Sequence, residues 1–183
     1  MKYAYLIQSS LKNVINWLGI QFFHISLIEW VFWFVMSMVA IKILRILNKR
    51  RWINDQQTNS FCFLVPYLMI VLFSTVFSRI GVFKREVELS LFWSYREFFL
   101  GDNSLGIEII ANIICMMPVG YALSFVFRKK KTLKVIATGF LFSLIIEVLQ
   151  LILKCGMFEI DDLFNNVLGV GLGYLICRKI RKG

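Results

Sequence analysis

Acidic residues are scarce in this chain of 183 residues. Eleven Asp and Glu stand against 21 Lys and Arg, for a formal net charge of +10. In a soluble chain that excess would point to nucleic acid. Here the basic residues bracket long apolar runs, the pattern of charge flanking a membrane, so nucleic acid is not expected as a partner. Histidine is almost absent: His24 is the single example. There is therefore no His pair for a catalytic zinc and no Ser–His–Asp set, and His24 reads as a surface residue. The four cysteines, Cys62, Cys115, Cys155 and Cys177, have no paired spacing, which excludes a disulfide framework and a zinc site. They read as membrane-packing residues plus one loop thiol. With only two prolines, no long repeat and no low-complexity linker, residues 1–183 read as a single domain. The opening MKYAYLIQSSLKNVINWLG lacks a continuous apolar core and a small-residue cleavage site, so no cleaved signal peptide is expected.

Apolar residues are what the chain has in excess. They make up 58% of it, with 16% aromatic and a mean hydropathy of +0.71, against about 45–50% apolar in a soluble domain. The excess falls in runs near the roughly 20 residues a helix needs to cross the hydrocarbon. The fold class is thus all-α, a polytopic membrane protein with five spans, at about 26–47, 61–80, 107–127, 135–153 and 162–177. Residues 3–23 place Leu6, Leu11, Ile15 and Leu18 at helical spacing, with Lys12, Asn13 and Asn16 between them. That describes an amphipathic helix lying at the interface; a sixth span is the alternative. The loop 81–106, with its aromatic cluster, is expected to rest partly on the bilayer surface.

With five spans, 14 of the 21 basic residues fall on one side: after the first span, in the loop RKKKTLK, and after the last span. The positive-inside rule makes that side cytoplasmic, giving an N-out, C-in topology. Ten of the 11 acidic residues then map to the outer half or outer loops, Asp55 alone being inside. The acidic residues thus agree, independently, with the orientation that the basic residues set.

The polar residues inside the apolar runs define the candidate site. Glu147, Gln150 and Lys154 lie at i, i+3, i+7, and Asp162, Asn166, Gly169 and Gly173 at i, i+4, i+7, i+11; each set shares one helix face. The tight turn at Gly156 brings the two helices antiparallel. Arg79 closes the second span, Glu108 and Asn112 open the third, and Glu159 lies in the acidic turn, all near one depth. A charged side chain at mid-bilayer costs about 2.5–3.5 kcal/mol. Glu108, Asp161 and Asp162 lie close enough to the interface to sit in water. Glu147 is about 10 Å deeper than Lys154 and needs a partner, for which Arg79 is the expected one.

Three stretches carry a family resemblance: Asn112, Pro118 and Gly120 in NIICMMPVGYAL; Glu147 and Gln150 in EVLQ; and Phe158, Glu159, Asp162, Asn166, Gly169 and Gly173 in FEIDDLFNNVLGVGLGY. In this order and spacing the chain resembles the VanZ-like family of bacterial membrane proteins, over roughly residues 108–174, with weaker similarity around Thr75 and Arg79. One residue departs from the pattern. The family usually carries arginine just before the acidic turn, where this chain has Cys155 beside Lys154, and a lysine cannot form the bidentate fork. The resemblance implies a protein of the bacterial cytoplasmic membrane associated with low-level teicoplanin-type glycopeptide resistance. It supplies no established reaction.

Three function classes follow. Arg79, Glu108, Asn112, Glu147, Gln150, Lys154, Glu159, Asp162 and Asn166 would bind the head group of an envelope lipid or lipid-linked wall precursor on the extracytoplasmic side, with a glycopeptide antibiotic as a further possible partner. Alternatively, the same groups form an internal network that pins the helices, with Gly169, Gly171 and Gly173 allowing close contact. In the third class, the carboxylates do acid–base work or hold a divalent cation in a membrane enzyme. No cofactor and no resident metal are expected.

Overall fold

The computed structural model describes residues 27–77, 86–127 and 132–181, with backbone only for 27–30. The helix expected at 3–23, His24 and Arg79 lie outside the described residues. Among the described residues six helices run Leu27–Lys49 (α1), Asp55–Thr75 (α2), Trp93–Leu100 (α3), Asn103–Val126 (α4), Thr132–Leu153 (α5) and Ile160–Ile180 (α6). Two short strands, Val87–Glu88 (β1) and Phe158–Glu159 (β2), pair in parallel, Val87 opposite Phe158 and Glu88 opposite Glu159. The fold is helical, as its apolar runs require. Among the described residues four helices are long and apolar enough to cross a membrane: α2, α4 and α5 throughout, and α1 over Val31–Lys49.

The helices overrun the apolar stretches at their polar ends. The N-terminus of α2 lies six residues before the expected 61, because Asn54 caps it. The Asn54 side chain accepts from Gln57 N at 3.0 Å, and the Gln57 side chain accepts from Asn54 N at 3.2 Å, a reciprocal capping box. Asp102 caps α4 in a similar way, accepting from Ser104 N at 3.0 Å. At the other end of α5, Lys154 adopts φ +56° and Cys155 N reaches back to Gln150 O at 3.0 Å, the bond that closes a Schellman-type helix end.

Lipid tails are as apolar as leucine, so helices in a bilayer associate through close packing and hydrogen bonds rather than through the hydrophobic effect. The pair α4–α6 shows this most clearly. A Cβ built on Gly120 would lie 1.9 Å from Val170 O, one on Gly173 1.9 Å from Met117 O, and one on Gly169 2.2 Å from Ile113 O. Only hydrogen fits at these three positions. Gly171, expected to serve the same purpose, does not: a Cβ there would meet nothing closer than Ile136 Cδ1 at 3.5 Å. Met116, Val119, Val135 and Val170 fill the shared core. The helix α2 joins it through Leu64, Tyr67 Oη donating to Cys115 O at 2.6 Å and Gln57 Nε2 donating to Val126 O at 3.2 Å. α1 leans on α2 through Trp33 against Phe73 and Phe77 and leaves most of its apolar surface outward.

Residues 86–102, between α2 and α4, hold more regular structure than their sequence suggests. They contain α3 and β1, and they are laced to the α5–α6 turn by the β1–β2 pair and by Phe158 N donating to Glu86 O at 3.0 Å. Phe99 and Leu100 at the end of α3 are 82% and 74% exposed, an apolar edge suited to the bilayer surface.

Candidate functional site

Four segments meet at one end of the α4–α6 pair: the start of α4, the end of α5, β2 and the start of α6. Helical spacing puts Glu108 with Asn112, and Glu147 with Gln150, on single faces. Asn112 Nδ2 donates to Asp162 Oδ1 at 2.7 Å. Glu147, 1% exposed, accepts from the backbone N–H of Glu159 at 3.0 Å. Gln150 donates to Thr75 O at 3.1 Å, and Asn166 to Ser143 Oγ at 2.8 Å. The predicted residues Asn112, Glu147, Gln150, Glu159, Asp162 and Asn166 therefore do gather. Glu108 joins them from the rim: its side is exposed, yet its charge reaches Glu159.

Lys154 does not gather with them. It is exposed at the left-handed residue that ends α5, one step past the last helical residue, so the face extrapolated from Glu147 no longer applies. Cys155, read as a loop thiol, is instead fully buried. Arg79, the expected partner of Glu147, lies outside the described residues; the contact Glu147 makes here is to a backbone amide.

Asp161, Asn165 and Ser143 were missed by sequence reasoning as members of this site. Asp161 is fully buried rather than in water. Its Oδ1 accepts from Phe92 N at 2.6 Å, and its Oδ2 from Ser94 N at 2.9 Å and Ser94 Oγ at 2.6 Å, so α6 caps the N-terminus of α3 from outside the helix. Tyr95 Oη donates to Asn165 Oδ1. Spacing alone does not single them out: Asp161 and Asn165 lie at i, i+4, but so do the adjacent Asp162 and Asn166.

The electrostatics are lopsided. Among the described residues the one ion pair is the exposed Arg96–Glu97, at 2.9 Å. Glu159, between the helices, is pushed up to about 8 by burial first, then by Asp162, Glu108 and Asp161. The Trp93 indole lies near enough to oppose the rise but not in hydrogen-bonding geometry. Burial and the charges of Asp161 and Asp162 also raise Tyr95. A raised acid binds its proton more tightly folded than unfolded, so Glu159 stabilises the fold most at low pH. That contribution falls between about pH 4.5 and 8 and is flat above. Glu159→Gln should therefore flatten the thermal-stability profile across this window and leave the protein more stable than wild type at pH 8.5. An unchanged slope would contradict the assignment.

Two amide atoms in this region are buried without a partner, Gln150 Oε1 and Asn165 Nδ2. Such atoms are uncommon in folded proteins. Among the described residues no group of three His, Cys, Asp or Glu has the geometry to hold a metal ion. What the site offers is a set of carboxylate and amide oxygens, suited to accepting hydrogen bonds from hydroxyl or amine groups.

A model of the VanZ/LLP1 family matches residues 31–181, and the chain belongs to that family. No curated protein and no solved structure matches it. The matched range includes every described site residue.

Proposed function

We propose that this protein is a multi-pass protein of the bacterial cytoplasmic membrane whose acidic site, on the extracytoplasmic side, binds the polar head group of an envelope lipid or lipid-linked wall precursor. Occupancy of the site then alters susceptibility to teicoplanin-type glycopeptides. The observation that carries this reading is the convergence of Asn112, Glu147, Glu159 and Asp162 from segments up to 50 residues apart. The carboxylate and amide oxygens gathered here favour a head group rich in hydroxyl or amine donors, rather than one held through phosphate alone. The unpartnered Gln150 Oε1 is an acceptor such a group would engage.

In this proposal α6 is the fifth span. It is polar at its start but 21 residues long, about 32 Å at 1.5 Å per residue, enough for a hydrocarbon core of about 30 Å. The basic residues then lie inside and the site outside.

In cells expressing the protein at constant membrane abundance, Glu147→Ala and Asp162→Ala should each abolish the shift in teicoplanin susceptibility that wild type produces. Sidedness is checked in the same cells. An impermeant thiol reagent should label Lys154→Cys on intact cells and Lys179→Cys only after lysis; the buried Cys155 is a poor reporter. Full retention of the shift in both alanine variants would favour a network that only pins helices. The reverse labelling pattern would remove the envelope-facing site.

A further inference from the structure

At the other end of α4 lies a second feature, independent of the acidic site. Phe125 is 13 residues beyond Asn112 along the same helix, about 20 Å at 1.5 Å per residue. Here α2 and α4 leave a groove of about 370 Å³ lined by Gln56, Asn59, Phe63, Tyr121 and Phe125, within the range of small-molecule sites of about 300–1,000 Å³. It is graded along its length. Gln56 and Asn59 sit in the first turns of α2, at the polar end. Phe63, 50% exposed, and Tyr121, 39% exposed, line it further into the apolar stretch. The wall is ordered: Tyr121 and Phe125 rings lie 5.5 Å apart, and Phe63 stacks on Tyr67. Below the mouth, Gln57 Nε2 ties α2 to the end of α4.

The charge at this end is one-sided. Arg181 extends from the end of α6 over the Phe125 ring, 5.1 Å from its centroid, with its head exposed. Lys49, Arg50, Arg51, Arg178 and Lys179 close the neighbouring helices at the same end. The carboxylate of Asp55 on α2 is already held by Asn48 Nδ2 at 2.8 Å.

We infer that this groove binds an anionic glycerophospholipid of the surrounding bilayer, with its phosphate at Arg181, head-group oxygens at Gln56 and Asn59, and an acyl chain along Phe63, Tyr121 and Phe125. The chemistry of the groove specifies the occupant. A groove open to the bilayer and apolar at depth takes a lipid tail, and a guanidinium at the mouth selects a negative head. A basic side chain near an anionic lipid surface is worth ~1 kcal/mol, which corresponds to about fivefold in affinity.

The full chain, purified in a zwitterionic detergent, is titrated with dioleoylphosphatidylglycerol or dioleoylphosphatidylcholine, and bound lipid is counted by native mass spectrometry. Wild type should take one phosphatidylglycerol with about fivefold preference over phosphatidylcholine. Arg181→Gln should erase the preference and leave phosphatidylcholine binding unchanged. Asn59→Trp, at an exposed rim position, should plug the groove and weaken binding of both lipids. Arg50→Gln should keep the preference, although it removes an equal charge from the same end. A preference untouched by Arg181→Gln, or lost equally in Arg50→Gln, would overturn the inference. So would uptake untouched by Asn59→Trp, or displacement of phosphatidylglycerol by millimolar inorganic phosphate.

Discussion

Gly173→Ala should abolish the folded protein, whereas Gly171→Ala, two residues away on the same helix, should leave it intact. The added methyl at Gly173 would meet Met117 O at 1.9 Å. That oxygen belongs to the backbone of α4 and cannot rotate aside as a side chain would. Relief requires α4 and α6 to move apart along a pair also closed at Gly120 against Val170 O and at Gly169 against Ile113 O. Overpacking a core costs about 1–3 kcal/mol when side chains can yield; with rigid backbone on both sides the loss should exceed ~3 kcal/mol. At Gly171 the nearest atom is a side-chain methyl at 3.5 Å, ordinary contact distance. There the better helix propensity of alanine, worth about 1 kcal/mol over glycine, offsets any adjustment. Thermal unfolding in detergent, with the monodisperse fraction on size exclusion, distinguishes the two. If Gly173→Ala unfolds at the temperature of Gly171→Ala, this account of the helix pair is wrong.

The second large effect is expected at Asp161. Its carboxylate holds two backbone amides and one hydroxyl of the segment 92–94. An eight-residue helix such as α3 is marginal alone, and it begins at Phe92 with φ +65°, a left-handed conformation that is unfavourable for an aromatic residue. The external carboxylate offsets this by satisfying N–H groups that a helix start leaves open and by meeting the positive end of the helix dipole. Asp161→Ala leaves three donors without a partner, of which the two on Ser94 are buried and cost about 1–3 kcal/mol each, so stability should drop by at least ~2 kcal/mol. Ser94→Ala, which removes one of the three bonds, should cost only ~1 kcal/mol. Hydrogen exchange at the Phe92 and Ser94 amides gives the decisive reading. It should accelerate in Asp161→Ala before the four membrane-length helices lose protection; exchange that stays at the wild-type rate would show the loop is held by other means.

Much of this architecture was legible in the chain. Apolar runs of membrane length gave the helices, and Glu147, Gln150, Asp162 and Asn166 stood out because polar groups inside such runs need partners. The boundaries were less legible, for a local reason. NDQQTNS reads as a polar linker by hydropathy, but Asn54 and Gln57 are a helix start by capping chemistry, and the helix therefore begins at Asp55. Lys154 was misplaced for a related reason. Helical extrapolation carries it onto the Glu147 face, yet its own φ of +56° ends the helix there. Asp161 and Asp162 are adjacent and chemically alike, so nothing local says which turns inward. That is decided by the loop 86–100, whose amides supply the partners for Asp161, a tertiary fact that no spacing within α6 encodes. Gly171 sits between two glycines of identical chemistry, and only the direction of α4 separates it from them.

The parallel pairing of Val87–Glu88 with Phe158–Glu159 also sets an order of assembly. The amide of Phe92 and the carboxylate that receives it are 69 residues apart. At roughly 5–20 residues per second of synthesis, the segment containing α3 waits about 3–14 s after it is made before its acceptor exists. During that interval Phe98 can already pack on Gly106 of α4, while Phe99 and Leu100 are left to the bilayer interface. A helix made later thus fastens the middle of the chain, and a ribosome stalled before Asp161 leaves that segment untethered.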